Sequence, residues 1–338
     1  MSTAGCPDDW RDATWLAEVR AWLAARLGDL GVEPTGPVEQ PHVPWWSTVL
    51  RVPTTGGSWW FKAARDDGTE ARLTAVLQDV APEHTVELLA VEPDRGWMLT
   101  RDAGTRLREH ATGPAQLRCW EELLPEYAAV QLRLADRVDQ LLALGVPDLR
   151  LPALARETRV LAEDDDMLRT APEDALTDDE VTELREHGIA ELDRLTAELA
   201  GRGIPDTVQH DDLHDGNAFV RDRAYVFFDW GDACVSHPFH TLVVTLRALA
   251  YRLGLEPGSP PLLRLRDAYL EPWSAHGSRT ELVETADLAR RTGTLQRALA
   301  WYATVLAMPE DRRHEEQDSV PYGVRLFLRD AGWGAWSV

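Results

Sequence analysis

Between His210 and Asn217 the chain sets three aspartates, two histidines and an asparagine: His210-Asp211-Asp212-Leu213-His214-Asp215-Gly216-Asn217. A little further on, the apolar run Tyr225-Val226-Phe227-Phe228 leads directly into Asp229-Trp230-Gly231-Asp232. A solvated acidic loop would explain the first segment alone. It does not explain why an apolar strand should deliver another carboxylate, which is how a fold presents a metal ligand or a catalytic acid on rigid support. Phosphoryl transfer needs such an inventory: a carboxylate near the acceptor hydroxyl, hard oxygen ligands for Mg2+, and a cation on the phosphates of a nucleotide. Asp212 and Asn217 stand at the D-x-x-x-x-N spacing used for that chemistry. Asp229-Trp230-Gly231 stands where a D-F-G metal-binding element follows an intervening hairpin.

A cation is marked by composition. Of the 35 basic residues a single one is lysine, Lys62. A position that stays lysine while arginine serves everywhere else asks for a compact ammonium on a flexible stem, which a planar guanidinium replaces poorly. Chance is the plain alternative, and one residue alone does not reject it.

These groups need elements to carry them. Trp10, Leu16, Val19, Leu23 and Leu27 recur at helical spacing, so an amphipathic helix is expected over residues 10–27, ending near Gly28. Residues 46–52 and 58–63 are rich in β-branched and aromatic side chains and flank the turn-like Pro53-Thr54-Thr55-Gly56-Gly57, which predicts a hairpin with Lys62 near the end of its second strand. A short helix over 68–80 carries Glu70, and strands are expected over 85–91 and 96–99. Long helical stretches come next at 116–144 and 151–162. Another starts after Thr177, whose Thr177-Asp178-Asp179-Glu180 fits a capping box, and the acidic run 163–180 before it reads as an exposed connection. From Ile204 to Asp232 helical periodicity is lost, and two short strands, 217–220 and 225–228, enclose a polar loop; helices then resume.

The loop and the acid after it resemble the aminoglycoside phosphotransferase and choline kinase-like family of small-molecule kinases. Members carry H-G-D-L-H-x-G-N followed by a strand and I-D-W, matched here by His210 to Asn217 and by Phe228-Asp229-Trp230. The resemblance implies an α+β, two-lobed protein-kinase-like fold, with a small antiparallel β lobe that carries one helix and a larger, mainly helical lobe. Residues 1–100 would form the nucleotide-binding lobe, 101–104 the hinge, and 105–338 the catalytic and substrate-binding lobe. The catalytic residues would be Asp212, which orients or deprotonates the acceptor hydroxyl, Lys62 on the phosphates, and His210 bracing the loop. Glu70 would pair with Lys62. Thr48, in a phosphate-covering segment without the G-x-G-x-x-G pattern, and Thr100, Arg101 and Asp102 near the hinge would contact ATP or GTP. Asn217 and Asp229 would hold Mg2+. Asp211 stands where the family often has glycine, and with His214, Asp232 and Trp301 it is a candidate substrate contact.

Composition narrows the partners. With 57 acidic residues against 35 basic ones the formal net charge is −22, which repels nucleic acid and anionic membranes. No apolar run reaches the length of a membrane span. The N-terminus shows no secretory pattern and three widely spaced cysteines suggest no disulfide framework, so a cytoplasmic location is expected. The partners expected are a nucleoside triphosphate and a small hydroxylated acceptor such as an aminoglycoside, an amino sugar or an amino alcohol. Asp211, Asp215, Asp232 and the acids of 315–318 lean toward a cationic one. Two other readings stay open: a kinase-shaped nucleotide-binding protein without turnover, and a metal-dependent hydrolase using His210, Asp212 and His214. The oligomeric state is not readable.

Overall fold

The computed structural model describes residues 7, 9–65, 67–170 and 174–329, so residues 171–173 of the expected acidic connection lie outside it. In chain order the strands are β1 (Glu39–His42), β2 (Ser47–Thr54), β3 (Gly57–Ala64), β4 (Leu88–Glu92), β5 (Trp97–Arg101), β6 (Thr105–Arg106), β7 (Thr207–Gln209), β8 (Ala218–Arg221), β9 (Ala224–Phe227) and β10 (Cys234–Ser236). The principal helices are α1 (Ala13–Asp29), α2 (Thr69–Val80), α3 (Gly113–Leu134), α4 (Leu151–Glu163), α5 (Ile189–Ala200), α6 (Thr241–Leu253), α7 (Pro260–Leu270), α8 (Arg279–Ala307) and α9 (Ser319–Leu328). The architecture is mixed α+β, as expected. It divides into one unit of residues 1–110 with 215–231 and a second of 111–214 with 232–338. Among the described residues no helix is long and apolar enough to cross a membrane.

The first unit is built on an antiparallel sheet in the order β1-β2-β3-β5-β4. The alternation of large apolar and smaller residues along β2 and β3 buries one face, and Thr55-Gly56 closes the hairpin between them. Trp15, Val19, Leu23 and Leu27 fall four residues apart on α1, so one stripe of that helix covers Phe61 and Trp97 of the sheet. The aromatic contacts are close, with the Phe61 and Trp97 ring centroids 5.6 Å apart. The helix is shifted from the expected 10–27. Asp12 caps it by accepting from the Trp15 N–H at 2.8 Å, so Trp10 lies outside it, buried, with its indole N–H donating to the Trp45 carbonyl at 2.9 Å.

Two features of this unit set the places of Lys62 and Glu70. One is β1, an addition to the expected strands, because Glu39-Gln40-Pro41-His42 lacks strand-forming residues; it is an edge strand, where the missing proline donor is tolerated. Its register places His42 opposite Val49, Val49 opposite Lys62 and Lys62 opposite Met98, so these four stand in one row across the sheet. The other is the start of α2, where Gly68 has φ +79° and a Cβ would lie 1.7 Å from the Pro93 carbonyl oxygen. Only glycine lets the helix begin at this point and so bring Glu70 into its first turn.

The chain returns to the first unit through β8 and β9, which pair with β6 in a small antiparallel sheet. The second unit is mainly helical. The capping box of Thr177 and Glu180 is formed, and Val181, Leu184, Leu192, Leu195 and Leu199 are buried as their spacing requires. The stretch expected as one helix over 116–144 breaks at Ala135–Arg137 into α3 and a short helix, Val138–Ala143. β7 and β10 form a two-stranded antiparallel pair that periodicity does not reveal, since each is three buried residues long. Gln131 of α3 locks β7 in place: its carboxamide donates to the Val208 carbonyl at 2.9 Å, and its backbone carbonyl accepts from the Thr207 hydroxyl at 2.7 Å. The acidic loop starts from that fixed strand.

Candidate active site

In the first unit, Lys62 projects from β3 with its side chain only 4% exposed. Its ammonium donates to Glu70 Oε1 at 2.7 Å and forms an ion pair with Asp229. Burial opposes the charge, but Asp229 and then Glu70 outweigh it and hold the lysine pKa above its ordinary value. Glu70 Oε1 also accepts from the backbone N–H of Trp230 at 3.0 Å, so one buried carboxylate ties the lysine strand to the segment that carries Asp229. Asp229 has φ +67°, a left-handed conformation that aspartate adopts more readily than most residues. It turns the chain sharply after β9 and leaves the carboxylate 44% exposed while it faces Lys62.

Asn217 precedes β8 and its carbonyl accepts from the Phe228 N–H at 3.0 Å, directly before Asp229. A carboxamide and a carboxylate are thereby placed at the same end of the β8–β9 hairpin. Both are hard oxygen donors. Among the described residues no group of three or more His, Cys, Asp or Glu side chains is placed to hold a metal. An asparagine and an aspartate are a fitting set for Mg2+, which takes one or two protein ligands and completes its shell with phosphate oxygens and water. Asp215, close by in the chain, is buried and held by Arg108 at 3.0 Å.

In the second unit, β7 delivers His210, whose backbone N–H donates to the buried Tyr127 hydroxyl at 3.0 Å. His210 Nδ1 accepts from the Asp212 N–H at 3.3 Å, so this histidine braces the loop from within. Asp211 has φ +61°, which accounts for glycine often standing here in the resembling family. Its side chain is buried: Gln296 donates to Oδ1 at 2.6 Å and Arg297 reaches Oδ2 at 3.5 Å. Burial chiefly, and the neighbouring charges of Asp232 and Asp212, push its carboxyl up to about 7 against the pull of Arg297. Asp212 is 28% exposed and meets Arg297 at 3.3 Å and His214 at 3.4 Å. Burial works to raise its pKa, but the His214 hydrogen bond and the charge of Arg297 outweigh it and hold Asp212 below its ordinary value, ionised. Asp232 meets the same guanidinium at 2.7 Å.

Arg297 is therefore the organiser of this loop, and nothing in the sequence singles it out. It comes from α8 with 14% exposure, and three carboxylates together hold its charge against burial. His42 is a second residue without a sequence signal. It stands in the row of Lys62, and although burial chiefly lowers its pKa, the charges of Asp229, Lys62 and Arg106 all act on it.

Other expected residues make contacts within their own units. Thr48 is buried, and its hydroxyl accepts from Gln40 and donates to the His42 carbonyl, both at 3.0 Å. Thr100 is buried with its hydroxyl on the Trp60 carbonyl at 3.3 Å, Arg101 pairs with Glu87 at 2.8 Å, and Asp102 accepts from the Trp60 indole at 2.9 Å. The side chains of Thr100, Arg101 and Asp102 thus contact their own sheet. Trp301 carries the Arg297 guanidinium over its ring at 5.1 Å.

A model of the phosphotransferase enzyme family matches residues 38–282. No curated protein matches the chain. Among solved structures, an ethanolamine kinase of Plasmodium vivax is 10% identical with a TM-score of 0.60, over 95% of this chain and 89% of that one. A choline/ethanolamine kinase family protein from Mesorhizobium loti is 17% identical with a TM-score of 0.57, over 95% of this chain and 99% of that one. A mutant of aminoglycoside 2'-phosphotransferase IIIa, solved with GDP, is 14% identical with a TM-score of 0.56, over 93% of this chain and 96% of that one. At these identities the likeness is one of fold.

Proposed function

The chain belongs to the phosphotransferase enzyme family, whose members phosphorylate small-molecule hydroxyls, and from that premise we propose that it transfers the γ-phosphate of ATP or GTP to a hydroxyl of a small acceptor. The observation that carries this reading is the shared ammonium of Lys62, held by Glu70 on one side and facing Asp229 on the other. In phosphoryl transfer the protein does little covalent chemistry; positioning and charge supply most of the catalysis. Lys62 would neutralise charge on the nucleotide phosphates, and Glu70 would keep its stem extended. Asn217 and Asp229 would hold Mg2+, which when bound with the nucleotide offsets the charge of its β- and γ-phosphates.

Asp212 would orient the acceptor hydroxyl and accept its proton. With its pKa held down it is a weak base, suited to aligning the nucleophile and taking the proton late in a loose transition state. Residues 1–100 would serve the nucleotide, with the backbone of 101–104 meeting the base, and residues 105–338 would carry the acceptor. The protein would act in the cytoplasm. A metal-dependent hydrolase built on His210, Asp212 and His214 is not favoured, because His210 Nδ1 accepts from the loop backbone, which places the proton of the neutral ring on Nε2, and Asp212 is paired with Arg297.

The donor side is testable by calorimetric titration of ATP and of GTP with and without magnesium. Binding should depend on the metal. Asp229→Ala should weaken it by at least the roughly 10- to 100-fold that loss of even an outer-shell partner costs. Affinity unchanged by chelation and by the substitution would remove Asp229 from the metal site.

A further inference from the structure

Acceptors of this kind of enzyme are often cations, and an ammonium is recognised by free carboxylates or by an open aromatic face. The second unit contains both devices, and Arg297 uses both. Its Nη1 meets Asp232 at 2.7 Å and Asp211 at 3.5 Å, and its Nη2 meets Asp212 at 3.3 Å. The same guanidinium lies over the Trp301 ring at 5.1 Å. A second guanidinium, Arg247 of α6, stacks on Tyr322 at 4.6 Å; burial chiefly lowers its pKa, with Tyr322 opposing and Arg297 adding to the fall. Two more of the acids that favour a cationic acceptor in the sequence are also matched: Asp215 by Arg108 at 3.0 Å and Glu315 by Arg312 at 2.8 Å.

We propose that the acceptor is an uncharged hydroxylated molecule, of the polyol, sugar or nucleoside class, and that Arg297 acts as a built-in countercharge that excludes polycations from the catalytic aspartate. This rests on the kinase reading and narrows its acceptor. An ammonium arriving at Asp212 would have to displace a buried guanidinium from three carboxylates, leaving that guanidinium desolvated without partners, or sit beside it and be repelled. An uncharged hydroxyl meets neither obstacle. It needs only a lone pair of the Asp212 carboxylate, whose side chain is 28% exposed, as acceptor, while Arg297 keeps the carboxylate ionised and fixed in direction.

The test uses the aminoglycoside kanamycin and choline as cationic probes, titrated calorimetrically into the full chain, into Arg297→Gln and into Arg297→Lys. The wild type and the lysine variant should bind neither probe below millimolar concentration. The glutamine variant should gain about tenfold or more in affinity for kanamycin, as three carboxylates lose their partner. Micromolar binding of either probe to the wild type overturns the proposal, as does a folded glutamine variant with no gain. If the glutamine variant does not fold, the wild type and lysine variant still decide. A parallel titration of the wild type with magnesium and ATP or GTP separates the two levels: absence of nucleotide binding would sink the kinase reading itself, whereas nucleotide binding together with tight kanamycin binding would sink only the acceptor class.

Discussion

Asp212→Asn is expected to lower phosphoryl transfer by about 10³-fold while nucleotide affinity stays within about threefold, the pattern of a group that acts on the acceptor in the transition state. The substitution is nearly isosteric. An asparagine carbonyl can still accept from Arg297, and its amide group can donate to His214 Nε2 in the tautomer that leaves this nitrogen unprotonated, so the loop should keep its shape, but the side chain no longer takes a proton or fixes the hydroxyl as a carboxylate does. Steady-state kinetics with nucleotide and acceptor varied separately, beside a nucleotide titration, measure both halves. A variant with near-normal kcat would remove Asp212 from the chemistry. One that loses nucleotide binding would place it on the donor side.

Lys62→Arg is expected to cost about 10²-fold or more in kcat/KM for the nucleotide although the charge is kept, because small misplacements of a positioning group have effects of that size. The reason is spatial. Lys62 is 4% exposed, and its single ammonium serves Glu70 and Asp229 at one point. A guanidinium is planar and wider, and its fork favours two-point contact with one carboxylate over sharing between two. The variant should also melt at a lower temperature, since a larger head group enters a filled site. Nearly unchanged nucleotide kinetics would show that the only lysine of the chain is an accident of composition.

Lys62 illustrates how the sequence speaks. Its signal is a skew in usage, independent of any spacing, and the structure gives it a buried position between two carboxylates. Asp212, Asn217 and Asp229 stand out as candidates for another reason: they fall within a few consecutive residues and at a strand-ending acid, so local order marks them. The features that fail to show are long-range. Arg297 is one arginine among many on a long helix, and its partners lie more than sixty residues away in the chain. β7 and β10 are each too short to display a period, and the residues that pair are 25 to 29 positions apart. Proline in β1 hides an edge strand and with it the row that holds His42. Asp211 is readable only in part. The place of a usual glycine hints at its left-handed backbone, but its burial against Gln296 and Arg297 depends on α8.

The side-chain hydroxyls of Thr48 and Thr100 are oriented by contacts that local sequence does not display. A threonine near an expected phosphate segment invites a ligand role, yet each hydroxyl here is bonded to backbone in its own sheet. Sequence order alone says nothing of which way such an oxygen points.

Movement of a terminal phosphate from a nucleotide to a small hydroxyl is the claim on which every other rests. It is tested most directly by incubating the wild type and Asp212→Asn with magnesium, ATP or GTP and pooled sugars, polyols, nucleosides and amino alcohols, and by reading the acceptor masses. At least one compound should gain the mass of a phosphate in step with nucleoside diphosphate release, and the asparagine variant should abolish both. Nucleotide binding without any phosphorylated product from a broad pool, or product formed equally by the variant, would contradict it.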